Sequence, residues 1–303
     1  MIERFVYGKV TWVMMKNPSS DEIKKVMVEH DISPLLMNDL TTPIPKNYAT
    51  KVDTAIKIVL DFPVIKKIST EHPYEVKFII SKKSLITVQY EEMGGMDRFK
   101  RQAEVAVTLR KKQHETTGAH LFFSLITQLY ESTALKLDYL ETKLNDIESQ
   151  IFQENEKEMV FEISMVSKKL IAFKHILNAQ QDIFADALPH FQSLFKNHFD
   201  TNMTAIRKQY NTLNMHTDTL FQTLMALRDT NTALLSTKQN EVMKLFSIMA
   251  FVTYPLTLIS SIFGMNTEFT PLVGHPFDFW IVMGIMFTAM VFFFTYFKHK
   301  HWL

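Results

Sequence analysis

The chain has 303 residues, 47% of them hydrophobic and 21% charged, with 33 Lys and Arg against 32 Asp and Glu. A net charge of +1 gives no bulk attraction for nucleic acid. The absence of cysteine excludes disulfides, thiolate metal sites and cysteine nucleophiles.

Only seven glycines and ten prolines interrupt the chain, which predicts long helices rather than a loop-rich enzyme. Residues 1–92 differ from the rest. Phe5–Met15, Thr54–Asp61, Tyr74–Ile80 and Ser84–Tyr90 are rich in β-branched and aromatic residues and are expected to form strands. Pro18-Ser19-Ser20-Asp21 opens a helix carrying Ile23, Val26 and Met27. Pro34 starts a short helix through about Leu40, and Thr41–Asn47 reads as a loop. Between Gly118 and Gly264 there is no glycine, and the only prolines are Pro189 and Pro255. Helices are therefore expected at about 95–112, 118–153, 157–187 and from about 190 onward. The acidic stretch Glu154–Glu158 reads as an exposed turn between two of them.

The N-terminus lacks a basic region followed by an apolar run, so no signal peptide is expected. The C-terminus is different. Leu245–Met265 and Phe279–Phe297 are 21 and 19 residues without a charge, each long enough to cross about 30 Å of hydrocarbon. Lys238 and Lys244 precede the first span, and Lys298 and Lys300 follow the second. The intervening loop holds Glu268 and Asp278 but no Lys or Arg. This asymmetry places both flanks in the cytosol and the loop outside.

Alternating steps of three and four along the first span select one helix face. It runs Asp229, Ala233, Ser236, Asn240, Met243, Ser247, Ala250, Tyr254, Thr257, Ser261, Gly264. Most of these residues are small or polar, whereas the other faces carry Leu245, Phe246, Ile248, Phe251, Val252, Leu256, Ile259, Ile262 and Phe263. A polar stripe at bilayer depth needs water, ions or another helix. A small-residue packing seam and a pore lining both satisfy the pattern. Its continuation toward Asn240 and Asp229 favours a pore. If unbroken from Phe191 to Gly264, this helix would extend about 110 Å at about 1.5 Å per residue, and parallel copies in a ring would support it.

Gly264-Met265-Asn266 closes the first span, after Tyr254-Pro255-Leu256-Thr257-Leu258-Ile259. Asn240-Glu241-Val242-Met243-Lys244 lies upstream, and the chain ends in a basic cluster with Trp302-Leu303. In these features the sequence resembles the CorA family of magnesium channels. The likeness is close in 238–303 and looser before it, where Asn17-Pro18, Pro34-Leu35 and Asp61-Phe62-Pro63 carry it.

The resemblance implies an α+β chain assembled as a homopentameric funnel. Its parts would be a cytosolic α/β domain (1–95), a cytosolic helical stalk (96–240), a pore-lining span (241–266), an external loop (267–278), a second span (279–297) and a basic cytosolic tail (298–303). It would sit in the plasma or inner membrane as a multi-pass protein with both termini cytosolic. The partners would be further copies of itself, the lipid bilayer and divalent cations. No cofactor and no nucleic acid is expected.

The resemblance makes Gly264, Met265 and Asn266 the selectivity filter. Asn240, Met243, Ser247, Ala250, Tyr254, Thr257 and Ser261 would line the pore, with Asp229 a candidate at its cytosolic neck. Asn266, the Gly264 carbonyl, Thr257 and Asn240 would meet the ion, and Met243 would match an apolar constriction. Glu268 and Asp278 would be the acids of the external loop. The expected cargo is Mg2+, with Co2+, Ni2+ or Zn2+ as alternatives. Neutral oxygen rings suit a hydrated Mg2+, which dehydrates reluctantly. A divalent cation gains about 4.6 kcal/mol across 100 mV, so no fuel is needed. The family is braked by Mg2+ bound to cytosolic acids.

The sequence departs from the family in places. Thr270-Pro271-Leu272 lacks an acid usual there, Phe263 replaces Tyr, and Tyr254 stands where Met is common. The region Lys51–Pro63 holds only Asp53 and Asp61 as acids, so the regulatory acids do not carry over.

Other readings are weaker. The eleven histidines are scattered, which disfavours a zinc site, and His299 and His301 read as part of a basic terminus. No nucleophile–base set, phosphate loop or ligand spacing suggests an enzyme. A membrane-anchored scaffold or sensor is the remaining alternative, and it has no need of a polar stripe.

Overall fold

The computed structural model describes residues 1–37, 40–41, 43, 47–65, 73–108, 117–196, 199–265, 272, 274, 276–300 and 302. These group into two compact units, Met1–Arg228 and Asp229–Leu303.

The first unit is built on a six-stranded sheet. Its strands are β1 (Ile2–Tyr7), β2 (Val10–Lys16), β3 (Tyr48–Val52), β4 (Ala55–Phe62), β5 (Tyr74–Ser81) and β6 (Ser84–Gln89), in the order β1-β2-β6-β5-β4-β3. Only the β2–β6 pairing is parallel. Side chains alternate across a strand, and both faces of the central strands are covered. On one face, Val13, Met15, Ile79, Ile86 and Val88 pack with Ile23, Val26 and Met27 of α1 (Ser20–Glu29). That helix starts where the sequence says. The Ser19 hydroxyl accepts from the Glu22 amide at 3.3 Å, while the Glu22 carboxylate accepts from the Ser19 amide at 2.9 Å. This reciprocal pair satisfies two otherwise unpaired N–H groups. On the other face, Trp12 is fully buried and its indole N–H donates to Thr87 Oγ1 at 3.1 Å.

Two strand expectations need correction. Phe5–Met15 is a hairpin, not one strand: Gly8, at φ +61°, turns the chain between β1 and β2. A left-handed backbone there suits glycine. The strand β3 falls where no strand was expected. It is a half-buried edge, so the continuous apolar run that marked β4 is missing. The helical turn after Ser33 covers only Pro34–Leu36; Asn38 and Asp39 lie outside the described residues.

The helices are α2 (Gly94–Thr108), α3 (Gly118–Phe152), α4 (Glu156–Gln180), α5 (Ile183–Phe195), α6 (Asp200–Phe263) and α7 (Asp278–His299). Gly118 starts α3 directly on the sheet. A Cβ there would lie 2.2 Å from the Ser84 carbonyl oxygen and 2.3 Å from that of Ser81, so only glycine permits this approach. Further along, Phe122 meets Phe78 edge-on at 5.3 Å. The turn expected near Glu154–Glu158 is present, with Glu154 at φ +68°, although Glu156 is buried.

The expected helix over 157–187 ends earlier, at Gln180. The side chain of Gln180 is buried; it accepts from the Tyr130 hydroxyl at 2.8 Å and donates to the Asp61 carbonyl. These bonds tie the end of α4 to α3 and to the sheet edge. Pro189, expected at a break, lies inside α5. Phe184, Phe191 and Phe195 hold that helix by burial, which offsets the lost backbone bond. The stalk helix does not start at Phe191. Lys196 takes φ +55° and ends α5, and the long helix begins at Asp200. At 64 residues it extends about 96 Å.

Burial shifts several ionisable groups in this unit, Asp61 and Lys136 among them. Asp61 is directly opposite Glu75 in the β4–β5 register. Burial, then the Glu75 charge, raises its carboxyl to about 6, with His175 pulling the other way. Burial also lowers Lys136 to about 8; its ammonium donates to the Pro63 carbonyl at 2.6 Å.

Candidate functional site

The second unit contains the end of α6 and all of α7, both long and apolar enough to cross a membrane. Pro255 lies within the α6 span. The two helices pack through Ile248 and Val252 of α6 and Phe297 of α7, with Leu256 and Phe293 alongside. Phe251 approaches Phe297 at 6.4 Å between ring centroids. Near the chain end, Trp302 stacks on Phe297 at 5.9 Å, and its amide donates to the Phe297 carbonyl at 3.0 Å.

This apolar seam lies on a different face from the stripe. Residues 248, 252 and 256 follow one another at intervals of four. The polar stripe of Asn240, Met243, Ser247, Ala250, Tyr254, Thr257 and Ser261 is centred about 180° away, at about 100° per residue. None of its residues belongs to the apolar cluster that joins α6 to α7. Asn240, Met243, Ser247, Tyr254, Thr257 and Ser261 are exposed in the single chain, Tyr254 to 74%, and Ala250 is half-exposed. Asp229 is exposed as well. The stripe is therefore not the seam between this chain's own two spans. Sequence reasoning listed Ile248, Val252 and Leu256 among apolar faces but had no means of telling which of them meets α7.

The stripe hydroxyls have a defined geometry. Thr257 Oγ1 donates to the Thr253 carbonyl at 2.9 Å, and Ser247 Oγ donates to the Met243 carbonyl at 2.9 Å. Such i→i−4 back-bonds are common for threonine and serine in helices. Each uses the hydroxyl's one donor and leaves oxygen lone pairs free to accept.

Gly264 and Met265 follow the last helical residue. Their amides donate to Ser260 at 2.9 Å and Ile262 at 3.4 Å. The end of α6 carries the negative pole of its dipole, which favours a cation. Asn266 and Glu268 lie outside the described residues. Asp278, at the start of α7, accepts from the Gly274 amide at 3.3 Å and from its neighbour Phe279 at 2.6 Å. Its carboxylate is tied to the backbone of its own loop.

A family model described as CorA-like Mg2+ transporter protein matches residues 7–299. The chain belongs to this family. Among CorA relatives, the cobalt/magnesium transport protein of Thermotoga maritima is 24% identical over 97% of this chain and 83% of its own length. The complete structure of the Methanocaldococcus jannaschii CorA magnesium transporter superposes with a TM-score of 0.83 at 19% identity, covering 97% of this chain and 92% of that one. The ZntB cytoplasmic domain of Vibrio parahaemolyticus matches 76% of this chain and 90% of its own, with a TM-score of 0.61 at 14% identity. At these identities the structural matches establish the fold: an N-terminal sheet domain, a long helix and two C-terminal candidate spans, as expected of a CorA chain.

Proposed function

We propose that the protein conducts Mg2+ passively across the cell membrane, into the cytosol and down the membrane potential. The observation that carries this reading is the exposed polar stripe on the α6 face opposite the α6–α7 seam. A lipid-facing stripe of this kind would be costly, and the partner that removes the cost is the same stripe on neighbouring copies. In a homopentamer, five α6 helices place Asn240, Met243, Ser247, Ala250, Tyr254, Thr257 and Ser261 along a common axis, with α7 outside. Asp229 then lies at the cytosolic neck.

Gly264, Met265 and Asn266 form the outer filter in this reading. Mg2+ enters with its water shell, held by the Gly264 carbonyl, the Asn266 amide and then the Thr257 and Asn240 oxygens. Neutral acceptors hold a hydrated ion without stripping it and release it readily. Met243 closes the cytosolic end as an apolar constriction that conducts when wetted. Glu268 and Asp278 concentrate cations at the mouth. The backbone amides of Gly274 and Phe279 hold the Asp278 carboxylate in place and leave each oxygen a lone pair facing outward. Internal Mg2+ gates the channel. The domain limits 1–95, 96–240, 241–266, 267–278, 279–297 and 298–303 follow, with both termini in the cytosol.

The test is Mg2+ entry into proteoliposomes under an inside-negative potential, with wild type and Asn266→Ala side by side. The proposal expects uptake that collapses in an intact variant oligomer. Unchanged uptake by the variant removes Asn266 from the filter. Zn2+ uptake without Mg2+ uptake assigns a zinc cargo, and no divalent flux leaves the helices as an anchor.

A further inference from the structure

We propose that Asp138, Glu141 and His216 bind a divalent transition-metal ion of the Zn2+, Co2+ or Ni2+ class. Asp138 and Glu141 are three residues apart on α3, a spacing that puts them on one helix face. His216 is on α6. One ligand atom from each lies within 4.8 Å of the others, and Glu141 Oε2 is 3.2 Å from His216 Nε2. Two carboxylates held together repel unless a cation lies between them. Among the described residues neither is paired with a lysine or arginine, and the His216 imidazole is the hydrogen-bond partner of Glu141.

The donor set selects the metal. An imidazole nitrogen with two carboxylate oxygens suits Zn2+, Co2+ or Ni2+, whereas Mg2+ prefers oxygen alone and keeps its waters. Ligand bonds of about 2.0–2.2 Å to a tetrahedral ion put donor atoms about 3.4 Å apart. The Glu141–His216 pair already meets that spacing. Asp138 and Glu141 are exposed and His216 is half-buried, so small side-chain rotations close the third ligand and solvent completes the shell. The ion links α3 to the same helix that runs on to Phe263. This site is independent of the transport reading, since its ligands lie outside the candidate spans and its chemistry excludes the proposed cargo.

The test uses the full chain in detergent micelles. Wild type, His216→Ala and Asp138→Asn are titrated with ZnCl2 in excess MgCl2, and the bound metal is counted after equilibrium dialysis. Wild type is expected to bind one more Zn2+ per chain than His216→Ala. Asp138→Asn, at an exposed helix position where folding is not at stake, is expected to weaken that ion at least about tenfold, since even indirect partners of a metal contribute that much. Co2+-loaded wild type is expected to show a visible absorption band that His216→Ala lacks. Identical isotherms for all three proteins, or Zn2+ displaced by equimolar Mg2+, overturns the assignment and leaves an ordinary His–Glu hydrogen bond. Mg2+ flux through the reconstituted protein is measured separately, so loss of either result does not decide the other.

Discussion

Replacing Asp61 by Asn should stabilise the N-terminal unit at neutral pH and leave it unchanged in acid. The carboxyl of Asp61 titrates near 6 instead of 3.8, first because it is buried and second because Glu75 stands opposite it. Between those two values the folded chain holds a proton that the unfolded chain has released. Stability therefore falls as pH rises through about 4 to 6. A shift of this size corresponds to about 3 kcal/mol, reduced to about 2 kcal/mol because Asp61 is only half-buried and its charge is partly screened. Asn keeps the shape and both backbone bonds, the Asp61 amide to Asn47 Oδ1 at 2.8 Å and its carbonyl to Gln180. The assay is denaturant unfolding followed by Trp12 fluorescence, with Trp280→Phe and Trp302→Phe as background. The quantity read is the stability difference between Asp61→Asn and its parent at each pH. It should be near zero at pH 4 and grow to about 2 kcal/mol in favour of Asn by pH 7. A difference that is flat, or that grows toward acid, would refute the account of burial and like charge.

Gly118→Ala forces a methyl group onto two backbone oxygens that have no room to give. It should destabilise the first unit by at least about 3 kcal/mol, visible as a lowered unfolding midpoint. Ser19→Ala removes the cap of α1 and should cost about 1 kcal/mol by the same measurement. Thr257→Val deletes a stripe hydroxyl and should cut Mg2+ flux in proteoliposomes at least about tenfold, the equivalent of one lost hydrogen bond in the barrier. Thr288→Val removes a similar back-bonded hydroxyl on α7 and should leave flux within about twofold; equal losses in both would remove the stripe from the conduction path.

Much of this fold is written locally. The strands β4, β5 and β6 announce themselves as apolar β-branched runs because both their faces are covered. The start of α1 is equally plain, since Ser19 and Glu22 form a reciprocal cap within four residues of sequence. What escaped the sequence depends on partners far along the chain. The end of α4 is fixed by Tyr130 and Asp61, which lie 50 and 119 residues away, and no local pattern at Gln180 marks it. Pro189 misled for the converse reason: its expected break is overridden by three buried phenylalanines. Asp138, Glu141 and His216 show the same limit, because two residues at helical spacing mean little until α6 brings the imidazole.

The candidate pore was legible in one respect and ambiguous in another, and the position of α7 removes only one form of the ambiguity. A stripe of small and polar residues on a helix serves equally well to pack a neighbour or to face water. Here α7 packs on Ile248, Val252 and Leu256 at the back of the stripe, so the stripe is not the seam between this chain's own two spans. The second ambiguity, whether Thr257 bonds its own helix or serves an ion, is a false choice. A threonine hydroxyl has one proton and two lone pairs. Giving the proton to the Thr253 carbonyl leaves a surface that can only accept. Ser247 does the same three stripe positions below. Thr257 and Ser247 have thus spent their donors, and each presents oxygen lone pairs to a cation's waters. The bond that holds the Thr257 hydroxyl to its own helix is therefore compatible with the role proposed for it.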